Sequence, residues 1–340
     1  MAAAPRLQPV GAARTVSPVE SPVPILIITG QTAGGKEQLA LAAAARLAGE
    51  IISADSMKVY RELDIGTAKP SAAQRRTVPH HLLDVADPGE TFSTARWLRL
   101  AEQAIADVHA RGRTAIVSGG TPLYLKALLE GMFEGPAADP AIRERLKGEA
   151  AARGTPALHE RLAQVDPAAA ARIHPNDLRR ITRALEVWEL TAAPISDLQK
   201  QWGTRRPRWR PLTVAVRRGR DDLTRRICRR VERMLDAGLV DEVRRLAARP
   251  GGLGRGPRQA LGYAEVLGFL AGRLPQEEIA AAIVAHTRQF ARRQLTWLSR
   301  FPDIVWLDAA PDAAPDAAPD ALAARVVALW RDHVGCAEQT

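Results

Sequence analysis

The stretch GQTAGGKE, residues 30–37, follows a short hydrophobic run and precedes an alanine-rich helical pattern. Its glycines and lysine have the spacing of a phosphate-gripping loop, G-x-x-x-x-G-K-S/T. Across Gly30, Gln31, Thr32, Ala33, Gly34, Gly35 and Lys36, backbone N–H groups can converge on one anion. The helix start adds its positive dipole end, and Lys36 adds a charge. The position after the lysine should carry a hydroxyl that helps to ligate magnesium, and it carries Glu37 instead. A carboxylate is a hard oxygen donor, so Glu37 is a candidate Mg2+ ligand. It also brings negative charge to a phosphate site, a repulsion of about 1 to 4 kcal/mol where water is partly excluded.

Two further stretches place reactive side chains where strands should end. In IISADSMKVYRELDIGTAKP, residues 51–70, Asp55 follows an apolar run, where open α/β sheets hold their ligands. It could be a general base, a metal ligand or a helix cap. In SGGTPLYLKALLEG, residues 118–131, the paired glycines allow close approach of backbone to a ligand. Thr121 offers a hydroxyl there, or the N-cap of the helix that follows. The acidic strand end of an ATPase is missing, because TAIVS runs into Ser118-Gly119-Gly120. Phosphate binding is therefore expected and ATP hydrolysis is not.

The elements that must position these groups alternate between strands and helices. Residues 24–30, EIISA before Asp55, TAIVS at 114–118, LTVAV at 212–216 and DIVWL at 303–307 read as strands. The fold class is α/β: a parallel-sheet core like that of P-loop NTPases, over 23–136 and 200–308, with an all-helical insertion at 137–199. The insertion helices are opened by Asp, Thr or Asn caps, often with Pro next. Helices at 219–248 and 276–300 complete the core. In the second, Ile279, Ile283, Phe290 and Trp297 are expected to form the apolar seam. Residues 1–22 read as a flexible leader and not a signal peptide. The AAPD repeats at 309–320 read as a linker, and 321–340 as a terminal helix and tail. His80-His81 lack cysteine partners and suit packing or hydrogen bonding better than a metal.

The chain has 340 residues, 46% of them hydrophobic, which is a folding composition. The apolar runs are too short for a membrane helix. Cys228 and Cys336 lack metal spacing and imply a reducing, cytoplasmic setting without disulfides. The formal net charge of +10 suits a polyanionic partner.

The ordered set GQTAGGKE, SADSMKVYRELDIGTAKP, VPHHLLDVADPGETFSTARW, GGTPLYLKALLEG, RIHPNDLRRITRALEVWELT, GLVDEVRRL and TRQFARRQLTW, over residues 24 to 308, resembles bacterial tRNA dimethylallyltransferases. The resemblance implies transfer of a dimethylallyl group from dimethylallyl diphosphate to N6 of the adenosine just 3′ of the anticodon, with Mg2+ as cofactor. Residues 30–37 would hold the diphosphate. Asp55 would act on the N6 amine, and Thr121, Arg226 and Arg230 on the leaving diphosphate. The tRNA anticodon stem-loop would meet Asp55, Ser56, Met57, Lys58, Thr121 and Arg143. It would also meet Arg179, Arg180, Ile181, Thr182 and Arg183 in the insertion, and Thr287, Arg288, Gln289, Arg292, Arg293 and Gln294 in the last core helix. A monomer is expected. The usual family loop has Thr or Ser where Glu37 stands, and Lys58 stands where glutamine is common. Two other readings of the loop are a small-molecule or nucleoside kinase and an RNA-binding relic without transfer.

Overall fold

The computed structural model describes residues 22–133, 135–200, 206, 208–310 and 320–336. Residues 1–21, in the expected leader, and 311–319, in the AAPD repeats, lie outside this set.

Alternation of apolar side chains builds the core. β1 (Val23–Gly30) sends Ile25 and Ile27 to one face of the sheet and Leu26 and Ile28 to the other, all fully buried. A strand apolar on both faces belongs inside a parallel sheet covered by helices. β2 (Gly49–Ser53), β3 (His80–His81), β4 (Thr114–Ser118), β5 (Trp209–Arg217) and β6 (Ile304–Asp308) join it. The order is β3-β2-β4-β1-β5-β6 and every pairing is parallel. Five of these strands match the sequence expectation. β3 was missed because two histidines carry no hydrophobic period. DIVWL begins its strand one residue late, with Asp303 at φ 59° outside it.

The helices are α1 (Lys36–Arg46), α2 (Ala72–Thr77), α3 (Thr94–Ala110), α4 (Pro122–Glu130), α5 (Pro140–Arg153), α6 (Thr155–Val165), α7 (Pro167–Ala170), α8 (Leu178–Thr191), α9 (Ile195–Leu198), α10 (Arg220–Asp236), α11 (Leu239–Ala247), α12 (Tyr263–Leu270), α13 (Ile279–Leu298) and α14 (Asp320–Gly335). One sheet face lies under α3, α4 and α10–α13. The other lies under α1 and α14, whose Val326 and Trp330 pack with Leu39 and Ala43.

Helices α5–α9 form the expected insertion around their own core, which includes Leu146, Leu158, Leu162, Ile181 and Leu185. Side chains of Asp139, Asp166 and Asp177 cap α5, α7 and α8; α6 has no side-chain cap and follows Gly154. The seam of α13 also differs from expectation. Its buried residues are Ile279, Ile283, Thr287, Ala291, Gln294 and Leu298, while Phe290 and Trp297 are only half-buried. Gln294 occupies this seam because its side-chain amide meets the Thr32 amide and the Gly120 carbonyl beneath the helix.

Candidate active site

Parallel strands β1, β2 and β4 are neighbours, so their C-terminal ends bring Gly30, Ser53 and Ser118 together. The loops that follow wall a cavity of about 580 Å³, lined among others by Lys36, Glu37, Asp55, Lys58, Ser118 and Arg230.

The phosphate loop turns on Ala33 at φ 59° and Gly35 at φ 99°, the latter in a region a side chain rarely adopts. Gly35 precedes α1, and no side chain caps that helix start. Its first amides are thus free to meet an anion. Lys36 is buried in the cavity wall, with its Nζ 3.4 Å from the Gln31 carbonyl. Burial pushes its ammonium pKa below the usual lysine value, against the pull of Glu37 and Asp55.

Glu37 is ion-paired with the Lys58 ammonium. Burial works against the Glu37 charge, yet Lys58 and Lys36 outweigh it and hold the carboxyl below the ordinary glutamate range. The expected metal ligand therefore already carries an ammonium on one oxygen. A second oxygen donor suits a hard cation in the same wall. The Ser118 hydroxyl is buried, lines the cavity and has no hydrogen-bond partner among the described residues. Ser118 and Glu37 both line the cavity and, with phosphate oxygens, would supply oxygen donors of the type Mg2+ takes.

Asp55 sits just past β2. Its Oδ1 accepts from the amides of Met57 at 2.8 Å and Lys58 at 3.4 Å, so that oxygen ties a turn at 56–59 and not the helix a cap would open, while Asp55 lines the cavity. Below it, Trp97 donates to the Ser53 carbonyl at 2.9 Å and stacks on Tyr124 at 4.3 Å, tying β2 to α4. Thr121 makes no side-chain cap for α4. Its Oγ1 accepts from the Ser56 amide at 3.1 Å and so joins the two strand-end turns. At Gly119 an added Cβ would lie 2.2 Å from the Ala54 carbonyl oxygen, so these turns touch only because the residue is glycine.

From the other side, α10 lays arginines along the loop. Arg226 donates from Nε to the Ala33 carbonyl at 2.8 Å and Arg230 from Nη1 to Thr32 Oγ1 at 3.3 Å. Both line the cavity, as do Arg229 and Arg233 one helical turn along. The sequence singles out Arg226 and Arg230 from the stretch RRICRRVERML, whose i+3 and i+4 spacing also carries the second pair. Sequence reasoning missed Arg218, which donates to the Gly34 carbonyl at 2.8 Å and pairs with Asp222. Among so many arginines, spacing alone does not mark it.

The residues expected to meet tRNA divide by burial. Arg179, Arg180, Arg288, Gln289, Arg292 and Arg293 are exposed, outside the cavity lining. Arg143 and Arg183 grip the fully buried Glu186, at 2.8 and 2.9 Å and at 2.7 Å. Ile181 and Thr182 are enclosed in the insertion, so they shape the helix and do not present a contact surface. Thr287 is buried in the α13 seam, and Gln294 bridges the phosphate loop and the Gly119-Gly120 turn.

A parallel α/β sheet with a phosphate loop, a strand-end carboxylate and an arginine-lined cavity defines a protein that handles a phosphorylated substrate. The sequence profile of the family described as IPP transferase matches residues 58–301. The chain is 48% identical over 284 residues to tRNA dimethylallyltransferase 1 of Pelobacter propionicus, covering 84% of this chain and 92% of that one. It is 50% identical over 283 residues to tRNA dimethylallyltransferase of Alkalilimnicola ehrlichii, covering 82% and 88%. Among solved structures, the full-length tRNA isopentenylpyrophosphate transferase of Bacillus halodurans aligns at a TM-score of 0.66 and 36% identity, over 93% of this chain and 99% of that one. A eukaryotic dimethylallyltransferase acting on tRNA aligns at 0.78 and 27% identity, over 92% and 80%. The chain belongs to the IPP transferase family.

Proposed function

We propose that this protein transfers a dimethylallyl group from dimethylallyl diphosphate to N6 of the adenosine just 3′ of the anticodon in tRNA. The observation that carries the reading is the cavity shared by the phosphate loop and Asp55. The loop suits a diphosphate, and Asp55 in the same lining offers a carboxylate to a nucleobase amine. The diphosphate lies on the start of α1 and Lys36, with Arg226 and Arg230 beside it. The adenine reaches Asp55 after leaving its stack, as single-stranded RNA loops allow. N6 attacks the dimethylallyl C1, the C1–O bond breaks, and its electron pair leaves with the diphosphate. The Asp55 carboxylate orients the amine and accepts its proton. Guanidinium and ammonium groups meet the charge that grows on the leaving oxygen. Mg2+, held by the diphosphate with Ser118 and Glu37, would add further charge neutralisation there.

The exposed arginines of α8 and α13 suit the anticodon stem-loop backbone. A tRNA substrate suits a cytoplasmic enzyme, and no described helix is long and apolar enough to cross a membrane. The test is incubation with labelled dimethylallyl diphosphate, Mg2+ and unmodified tRNA. Label in the RNA is expected; a kinase would instead consume ATP, and a relic would bind tRNA and transfer nothing.

A further inference from the structure

Glu37 and Lys58 are 21 positions apart in sequence and form one ion pair across the cavity wall. Glu37 opens α1 in the phosphate loop, and Lys58 belongs to the turn that Asp55 organises. The Lys58 side chain is only 6% exposed, and Glu37 is 38% exposed. Carboxylate and anionic substrate are therefore neighbours at one helix start, with the ammonium held between the loop and the Asp55 turn.

A bare carboxylate here would repel a diphosphate and compete with it for the helix-start dipole. An ammonium on that carboxylate removes most of the repulsion without lengthening the loop. The link also joins the two halves of the site. Lys58's amide donates to Asp55 Oδ1 while its side chain holds α1, so the acid–base turn and the diphosphate loop are kept in one register. Lys36 alone does not serve this purpose, because its Nζ lies 3.4 Å from the Gln31 carbonyl on the loop itself.

We infer that Lys58 is a positioning residue that acts as the built-in counter-ion of Glu37, so that this phosphate loop binds a diphosphate despite its carboxylate. The inference rests on the cavity being the diphosphate site. It predicts a dependence of one residue on the other that neither a general packing role nor a direct substrate contact would give.

The experiment measures the Kd of dimethylallyl diphosphate, with Mg2+ present, for the full chain and for K58Q, E37Q, E37Q/K58Q and K58R. Glutamine keeps length and hydrogen-bonding capacity while removing the charge. K58Q should weaken binding about tenfold or more by exposing Glu37 to the substrate, and K58R should stay close to the parent. In the E37Q background, where no carboxylate needs a counter-ion, adding K58Q should change Kd by less than about threefold. Equal weakening by K58Q in both backgrounds, or no weakening by K58Q in the parent, overturns the inference. If K58Q alone does not fold, E37Q against E37Q/K58Q answers the same question: a change of about threefold or less supports the inference, and tenfold or more sinks it. Failure of the parent chain itself to bind would instead remove the reading of the cavity as a diphosphate site.

Discussion

Gln294 on α13 donates from Nε2 to the carbonyl of Gly120 at 2.6 Å. Its Oε1 meanwhile accepts from the Thr32 amide at 2.8 Å, so one buried amide clamps the phosphate loop to the turn after β4. Q294A should leave two buried backbone groups without partners, at a cost of about 1 to 3 kcal/mol each. The KM for dimethylallyl diphosphate should rise, while the salt dependence of tRNA binding stays as in the parent. Weaker tRNA binding with an unchanged diphosphate KM would mean that Gln294 touches RNA instead.

Asp55 uses one oxygen to organise its own turn and faces the cavity with the carboxylate. D55A should cut turnover about a hundredfold or more, the usual share of a positioned acid–base group, and leave tRNA affinity nearly intact. Single-turnover transfer rates and a tRNA binding isotherm check both halves. Turnover within a few-fold of the parent would remove Asp55 from the reaction.

Arg288 and Arg292 are exposed on α13, one turn apart and off its buried seam. R288A and R292A should each weaken binding of all cognate tRNAs to a similar degree. Each should lower the slope of log K against log salt by about one unit for every phosphate the missing guanidinium neutralised. A salt titration of each variant is the measurement, and an unchanged slope would assign that face to solvent alone.

Much of the site was legible because it lies on short local patterns: the glycine-lysine loop, an aspartate after an apolar run, a double glycine after another. Their meeting at three strand ends follows from parallel-sheet topology. What was hidden depends on partners far apart in sequence. Nothing local marks Gln294 as a bridge to Thr32 and Gly120. Arg143 and Arg183 read from the sequence as RNA contacts, and nothing local shows that Glu186 lies between them. Phe290 and Trp297 do not form the seam because hydrophobicity alone does not set burial: α13 turns Thr287 and Gln294 inward. Glu37 looked like an unmatched charge because its counter-ion sits on another element.

The insertion should be acid-sensitive through Glu186. Burial raises its carboxyl pKa, but Arg143, Arg183 and the Asp139 amide prevail and leave it below the ordinary glutamate value of 4.5. A carboxyl depressed in the folded state stabilises fully above the unfolded pKa. That contribution is lost as pH falls through the folded pKa. E186Q should therefore lower stability near neutrality, by about 3 kcal/mol given two arginines left without their buried partner, and flatten the loss of stability below about pH 4.5. Denaturant unfolding across a pH series tests this; parallel curves for the two proteins would contradict it.

Dimethylallyl transfer to one adenine is tested by nucleoside mapping of tRNA after reaction. Unmodified tRNA is incubated with the protein, dimethylallyl diphosphate and Mg2+, then digested and sequenced by mass. One dimethylallyl group per tRNA is expected, on the adenosine just 3′ of the anticodon, with free diphosphate released in equal amount and D55A nearly silent. Diphosphate released without any modified adenosine, or modification at scattered adenosines, would contradict it.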